Sequence, residues 1–353
     1  MAYRVAVVGA TGAVGEAMIA ELERSTLPIA ELVPMASARS AGKTVAFRGA
    51  EVPVVEATPE AFSGIDLALF SAGGQTSRAL APEAVRRGAV VVDNSSAFRL
   101  EDRVPLVVPE VNAEALTDHR GLIANPNCST IQMVVALAPL RERYGLRRIV
   151  VSTYQAVSGA GRRAVDALRF ESGRWLEGEG FVPEVLPVAT LPVKYPIADN
   201  VIPQIDRFEP NGFTFEEMKM VRETQKIFGD PALEVAATCV RVPVTVGHSE
   251  AVTVELEEAP ASMEDVIEAL RAAPGVVVWD DPTAQRYPTP MLVRGERDVY
   301  VGRIRRDLFR PNVVHLWVVA DNLVKGAAWN AVQIAETLEE KGLLRVPATE
   351  GDR

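Results

Sequence analysis

Tyr3-Arg4-Val5-Ala6-Val7-Val8-Gly9-Ala10-Thr11-Gly12-Ala13-Val14-Gly15 decides the fold of this chain. A short apolar run closed by a glycine-rich turn reads as a buried strand. The following stretch, Gly12 to Glu23, puts Val14, Met18, Ile19 and Leu22 on one helical face. Gly9 permits the tight turn, Gly12 lets main chain approach a pyrophosphate, and Gly15 lets the helix pack closely on the strand. Unpaired N–H groups at the helix start attract an anion. Gly9, Thr11, Gly12, Ala13 and Val14 are therefore candidate dinucleotide contacts, against the plain alternative of a tight strand–helix turn with no ligand.

The end of the second strand points to which dinucleotide. A site for NAD places Asp or Glu there, about 20 residues on, to bind the ribose hydroxyls. Here the strand Leu32–Ala36 runs into Ser37-Ala38-Arg39-Ser40, without a carboxylate. Arg39 can pair with a 2′-phosphate, and Ser37 and Ser40 can donate hydrogen bonds to it. NADP is favoured over NAD.

Further strands are expected at Ile65–Phe70 and Ala89–Val92, with a helix at Ser77–Arg87 between them. Strands separated by helices imply an α/β, Rossmann-like, doubly wound parallel sheet. Val45–Phe47 and Glu51–Val55 read as a short hairpin inserted into it. After Asn127 the pattern changes. A helix is expected over Cys128–Tyr144, then longer strands at Arg148–Ala156, Val235–Val244 and Ala251–Leu256, of which Thr238–Val244 and Ala251–Leu256 alternate or nearly so, as strands of a mixed or antiparallel sheet do. The Pro-rich stretch 182–203 reads as irregular connection, and Trp329–Leu344 as a helix. The expected organisation is a cofactor-binding domain of residues 1–127, completed by a C-terminal helical segment 329–353, and an α+β catalytic and dimerisation domain of residues 128–328.

A chain of 353 residues, 48% hydrophobic and 24% charged, suits a globular protein of two domains. A net charge of −10 without a dense basic run argues against nucleic acid as a partner. No apolar stretch approaches the ~20 residues of a membrane span. The start lacks the features of a signal peptide, and with two cysteines, Cys128 and Cys239, a cytoplasmic setting with reduced thiols is expected.

Asn125-Pro126-Asn127-Cys128-Ser129-Thr130 carries the chemistry. A thiol at a helix N-terminus sits at the positive end of the dipole, which favours the thiolate. The same N–H groups can hold an oxyanion. Cys128 is thus the candidate nucleophile, whereas Cys239, inside a strand, reads as a core residue. Of three histidines, His119 falls in a polar turn and His315 in an apolar strand. His248, in the turn Val246-Gly247-His248-Ser249-Glu250, reads as exposed enough to accept the Cys128 proton. Arg241, an arginine in an otherwise apolar strand, needs a partner: a substrate carboxylate or an internal acid such as Glu216.

GATGAVG, SARSAGK, NSSAFR, NPNCST, QAVSGAG, EEMK, CVRVPV and GHSE occur in that order. Together they resemble the bacterial-type aspartate-β-semialdehyde dehydrogenases over essentially the whole chain. The resemblance implies a thioester on Cys128, His248 as acid/base, and Gln155 orienting the substrate beside the cysteine. It also implies Arg241 on the substrate α-carboxylate and Glu216 on its α-amine, with Arg99, Asn127 and Lys219 holding phosphate. Thr11 to Val14, Arg39, Ser40, Ser158, Gly159 and Asn322 match cofactor contacts. The implied reaction is NADPH-dependent conversion of L-aspartyl-4-phosphate to L-aspartate-4-semialdehyde, a step towards lysine, threonine and methionine, in a homodimer or homotetramer without a metal. The residues alone leave Arg99, Lys219 and Glu216 as ordinary surface charges and Gln155 as the end of a strand. Two other readings stand beside it: a reductase of N-acetyl-γ-glutamyl phosphate, and a non-catalytic NADP sensor.

Overall fold

The computed structural model describes residues 2–346, which form two compact units: one up to Asn127 and again from Ala327, the other Cys128–Gly326. The first begins with β1 (Tyr3–Val8), α1 (Ala13–Glu23) and β2 (Ile29–Ala36), followed by β3 (Thr44–Phe47), β4 (Ala50–Pro53) and β5 (Val55–Glu56). It continues through β6 (Leu67–Phe70), α2 (Gly74–Arg86), β7 (Val90–Asp93), a single turn α3 (Pro109–Asn112) and β8 (Leu122–Ala124). Six strands form one parallel sheet in the order β5-β2-β1-β6-β7-β8, the doubly wound arrangement expected. The sheet is parallel because helical crossovers bury both faces, so its strands read as unbroken apolar runs.

The small hairpin departs from expectation. β3 and β4 pair only with each other, while Val55 leaves the hairpin and adds β5 to the edge of the main sheet beside β2. The sequence could not separate Val55 from the hairpin, because the run EVPVVE continues through Pro53 without a turn signal.

The second unit contains α4 (Cys128–Tyr144), β9 (Leu146–Gln155), α5 (Arg162–Leu176), α6 (Phe215–Phe228), β10 (Glu234–Arg241) and β11 (His248–Leu256). It ends with α7 (Met263–Ala272), β12 (Val276–Val278), β13 (Val299–Arg306) and β14 (Val313–Ala320). Its six strands run β10-β9-β11-β14-β13-β12, a mixed sheet: β10 is parallel to β9, and β11 is antiparallel to both β9 and β14. β10 stops at Arg241 rather than Val244, because the Val244 N–H turns back to the Val242 carbonyl. α4, α6 and α7 lie along the strands on one side. There Ile149, Val151, Val252, Val254, Val314 and Leu316 pack under Ile131, Val134 and Val135 of α4 in the core. The opposite face stays partly open, with Val150 and Tyr154 exposed and the Trp317 ring tilted against Tyr154. His315 lies on this open face, bonded to Thr253 and Asp307, and is not the core histidine expected.

After β14 a single π-helical turn (Val324–Ala328) leads into α8 (Trp329–Glu340), whose Ala331, Val332, Ile334, Ala335 and Leu338 complete the core of the first unit with Val5, Val7 and Leu67. The helix ends at Glu340 rather than Leu344, and the expected span beyond Val346 lies outside the described residues. His119 is buried here instead of lying in an open turn; Nδ1 accepts from the Gly121 N–H and Nε2 donates to the Leu343 carbonyl.

The α1–β1 contact has no slack. A Cβ on Gly15 would stand 2.1 Å from the Gly9 carbonyl oxygen, a main-chain atom that cannot swing away. Gly15→Ala is expected to destabilise the protein by about 1–3 kcal/mol, as overpacking does; urea denaturation measures it, and an unchanged midpoint would show that α1 lifts from β1 at no cost.

Candidate active site

Cys128 is the first residue of α4 and is partly exposed. Gly326, in the π-helical turn, sits so close that a Cβ there would come within 2.7 Å of the Cys128 Cβ. No disulfide joins Cys128 to Cys239, which lies wholly buried on β10 with its thiol beside Met220. Burial lifts the Cys239 thiol well above the ordinary range, helped by the nearby Glu216, so it stays a protonated core residue.

Strand register gathers the other groups. β9 and β10 pair in parallel with Arg241 beside Gln155. β11 runs antiparallel with Ser249 opposite Tyr154, which sets His248 in line with Gln155. Arg241, Gln155 and His248 therefore form one row on the face beneath α4 and α6, and all three are buried. His248 is correspondingly not the exposed turn residue expected. The turn closes at Gly247, whose φ of +97° suits glycine, and His248 is already the first strand residue.

Ala156 ties the row together. Its carbonyl accepts from Arg241 Nη1 at 2.7 Å, and its N–H donates to His248 Nδ1 at 3.0 Å. With Nδ1 accepting, a neutral imidazole carries its proton on Nε2. Burial first, and then the Arg241 charge, lower the His248 pKa from 6.5 to about 3; Glu216 and the Gly247 carbonyl pull weakly the other way. Arg241 is lowered by burial, an effect that Glu216 and Cys128 oppose electrostatically.

Glu216 is the polar hub. A capping box at Thr214, reciprocated by Glu217, fixes the start of α6, and the other Glu217 oxygen accepts from the Cys239 N–H of β10. That start places Glu216 and Lys219 one turn apart. Glu216 Oε1 accepts from Gln155 Nε2 at 3.0 Å and Ser129 Oγ at 3.3 Å, and Oε2 accepts from Lys219 Nζ at 2.9 Å. Gln155 also donates to Ser129 Oγ at 2.8 Å. Neither Glu216 nor Lys219 is the free surface charge the residues alone allowed. Three buried atoms in this cluster have no hydrogen-bond partner among the described residues: Arg241 Nε, His248 Nε2 and Gln155 Oε1. Burying such atoms unpaired is costly unless something else satisfies them.

The remaining expected contacts divide between the units. In the second, Gly159 backs the row: a Cβ there would lie 3.0 Å from Arg241 Nη1 and 3.3 Å from His248 Nε2. Asn322 donates to Ser158 Oγ at 2.9 Å and accepts from the Gly247 N–H at 2.8 Å, so it holds two turns at once. In the first, Arg99 is buried, giving Nε to the Asn125 carbonyl and Nη2 to the Asn94 carbonyl, both at 2.9 Å; Asn127 is buried too. Gly9 adopts φ +90°, and α1 begins at Ala13 after Gly12, an N-cap without a side chain, which leaves its first N–H groups open. Thr11 Oγ1 stands 3.5 Å from Ser40 Oγ. Arg39 and Ser37 are exposed at the end of β2, and Arg39 has no ion partner among the described residues.

Sequence reasoning passed over Ala156, Ser129 and Gly326. Ala156 acts through main chain, which no residue type advertises. Gly326 matters only because α4 begins against it.

The chain is similar to known proteins along nearly its whole length. Residues 4–119 match the family described as semialdehyde dehydrogenase, NAD binding domain, and residues 137–325 match semialdehyde dehydrogenase, dimerisation domain. An aspartate-semialdehyde dehydrogenase of Bacillus subtilis is 57% identical over 340 residues, 96% of this chain and 98% of that protein. One from Aquifex aeolicus is 51% identical over 98% of this chain and its own full length, 100%. Among solved structures, aspartate semialdehyde dehydrogenase II of Vibrio cholerae complexed with ASA superposes with a TM-score of 0.90 at 48% identity, covering 96% of this chain and 99% of that one. The Candida albicans enzyme with NADP gives 0.75 at 28% identity, covering 97% and 100%. By sequence along nearly its whole length, and by fold, this chain belongs to the aspartate-semialdehyde dehydrogenase family.

Proposed function

We propose that the chain catalyses NADPH-dependent reductive dephosphorylation of L-aspartyl-4-phosphate to L-aspartate-4-semialdehyde, through a thioester on Cys128. The observation that carries it is the buried row Arg241–Gln155–His248, with three unpaired polar atoms, in the unit that α4 opens with Cys128.

The first unit fits the cofactor. Open N–H groups at the start of α1, glycines without Cβ atoms in the turn, and an unpaired Arg39 flanked by Ser37 and Ser40 suit a dinucleotide bearing a 2′-phosphate. When bound, that group supplies the hydride that reduces the acyl carbon.

The protein's own residues do the rest. Arg241 grips the substrate α-carboxylate through its buried guanidinium, and Glu216 takes the α-amine. The Cys128 thiolate, favoured by the α4 N-terminus and by Arg241, attacks C4 of the acyl phosphate. An S–C bond forms, the C–O bond to phosphate breaks, and phosphate leaves towards Lys219. After reduction the C–S bond breaks, the aldehyde departs and the thiolate returns. His248 enters neutral, with its proton on Nε2, and so serves as hydrogen-bond donor to the oxygen that gains charge at C4. That differs from the expectation that His248 takes the thiol proton, because its Nδ1 lone pair is occupied by Ala156.

The family's dimerisation domain and the open sheet face bearing Val150, Tyr154 and Trp317 support a homodimer. No helix among the described residues is long and apolar enough to cross a membrane, and the cytoplasm remains the proposed compartment on the strength of the biosynthetic relatives.

Three outcomes are expected. Cys128→Ala abolishes turnover while NADP binding, followed by fluorescence titration, stays near normal; retained turnover ends the thioester mechanism. His248→Asn lowers kcat by roughly 10²–10⁴ yet leaves iodoacetamide labelling of Cys128 fast at pH 7, whereas Arg241→Leu slows labelling; slow labelling in His248→Asn would restore the histidine as the thiol's base. Stability falls as pH drops from 6.5 towards 3, because the unfolded chain takes up a proton that folded His248 refuses. By pH 5 that loss is roughly 2 kcal/mol in urea denaturation, and His248→Asn should show a shallower decline.

A further inference from the structure

Behind the reactive row lies a second buried polar layer that the reaction does not use. Glu250 follows His248 by two residues on β11, on the same face, and is wholly buried. Its cross-strand neighbours are Thr153 of β9 and Val318 of β14. Gln132, one helical turn beyond Cys128 on α4, is wholly buried as well, and its Nε2 donates to the main-chain carbonyl of His248 at 3.4 Å.

The side-chain atoms of this layer lack protein partners of good geometry. Glu250 Oε1 and Oε2, Gln132 Oε1 and Thr153 Oγ1 are buried without a hydrogen bond among the described residues. Burial holds the Glu250 carboxyl well above the usual carboxylate range, and the adjacent Gln132 side chain opposes this only in part. Arg241 on β10 is not among the groups that act on it; Cys239 on β10 is a protonated thiol, and His248 on the same strand is neutral. An isolated buried carboxylate is far more costly than a buried carboxylic acid.

We propose that Glu250 is a positioning residue, which through Gln132 fixes the start of β11, and so the His248 ring, against the turn of α4 that bears Cys128. Glu250 acts as the neutral acid. The Gln132 amide spans the two groups, one Nε2 hydrogen turned to a Glu250 oxygen and the other to the His248 carbonyl. One hydrogen-bonded path then runs from the second turn of α4 to the residue whose ring Ala156 holds from the other side. The proposal rests on the reading that His248 donates to the oxygen at C4 of the acyl group that Cys128 attacks.

The test uses the full-length protein with aspartate semialdehyde, NADP and phosphate, comparing Glu250→Gln, Glu250→Leu and Gln132→Met. Glu250→Gln keeps a neutral donor and acceptor, so kcat should stay within about threefold of the parent. Glu250→Leu and Gln132→Met should each lower kcat about tenfold or more with KM little changed. Gln132→Met decides the matter if Glu250→Leu does not fold. Full activity in Glu250→Leu or Gln132→Met, or Glu250→Gln as impaired as Glu250→Leu, overturns the proposal.

Denaturation adds an independent readout. A carboxyl raised in the fold loses stability as pH rises above the unfolded value of 4.5, because only the unfolded chain ionises. The stability advantage of Glu250→Gln over the parent should therefore grow from pH 5.5 to pH 8. An advantage that does not grow means a folded carboxylate and overturns the neutral acid. Cys128→Ala in the same assay separates the cases: turnover there sinks the thioester reading, not this one.

Discussion

The two main-chain polar groups of Ala156 hold the chemistry of the second unit in place. One anchors the guanidinium of Arg241 and the other the imidazole of His248. Side chains of this length have several rotamers each, and fixing them loosely would forfeit most of the rate that orientation provides. Main chain at the end of β9 is a rigid anchor because β10 and β11 flank it on both sides. The mixed direction of the sheet matters for the same reason. Parallel β10 ends where β9 ends, and antiparallel β11 begins there, so three side chains remote in sequence share one edge.

Polar burial of this density opposes folding, and the molecule offsets it with layered apolar contacts. α4 is buried along nearly its whole length, from Ser129 to Leu140, so its N-terminus cannot drift. Glycines at 159 and 326 take the space that any side chain would need beside His248 and Cys128. Unsatisfied polar atoms persist where a ligand would complete them, at Arg241, Gln155 and His248. They persist also at Glu250, whose carboxyl burial holds well above the usual carboxylate range. The site is thus tightly packed around groups that the folded chain alone leaves incomplete.

Much of the fold was legible in the sequence, and for identifiable reasons. Continuous apolar runs and glycine turns mark β1, β6, β7 and the parallel sheet because both faces of those strands are covered. The bounds of α4 follow from Pro126 before Cys128 and Gly145 after Tyr144. What escaped depends on partners far along the chain. His248 looks exposed in GHSE because local polarity says nothing of the helix that covers it. Glu216 and Lys219 look like surface charges until Gln155 and Ser129 are brought against them by β9 and α4. His315 sits in a run as apolar as any core strand, yet its face of the sheet is open. Val55 joins a strand pairing that no local signal separates from the hairpin before it.

The chain path through the two units has a consequence for how the protein comes into being on the ribosome. The first unit lacks α8 until about 200 further residues have been made. Val5, Val7 and Leu67 must wait for Ala331 and Ile334 to emerge at the far end of synthesis. The second unit, by contrast, is one uninterrupted stretch and can close as soon as β14 is complete. Nascent chains therefore carry an open, unfinished sheet for most of translation, and closing that long loop is the entropic step that assembly of the first unit awaits.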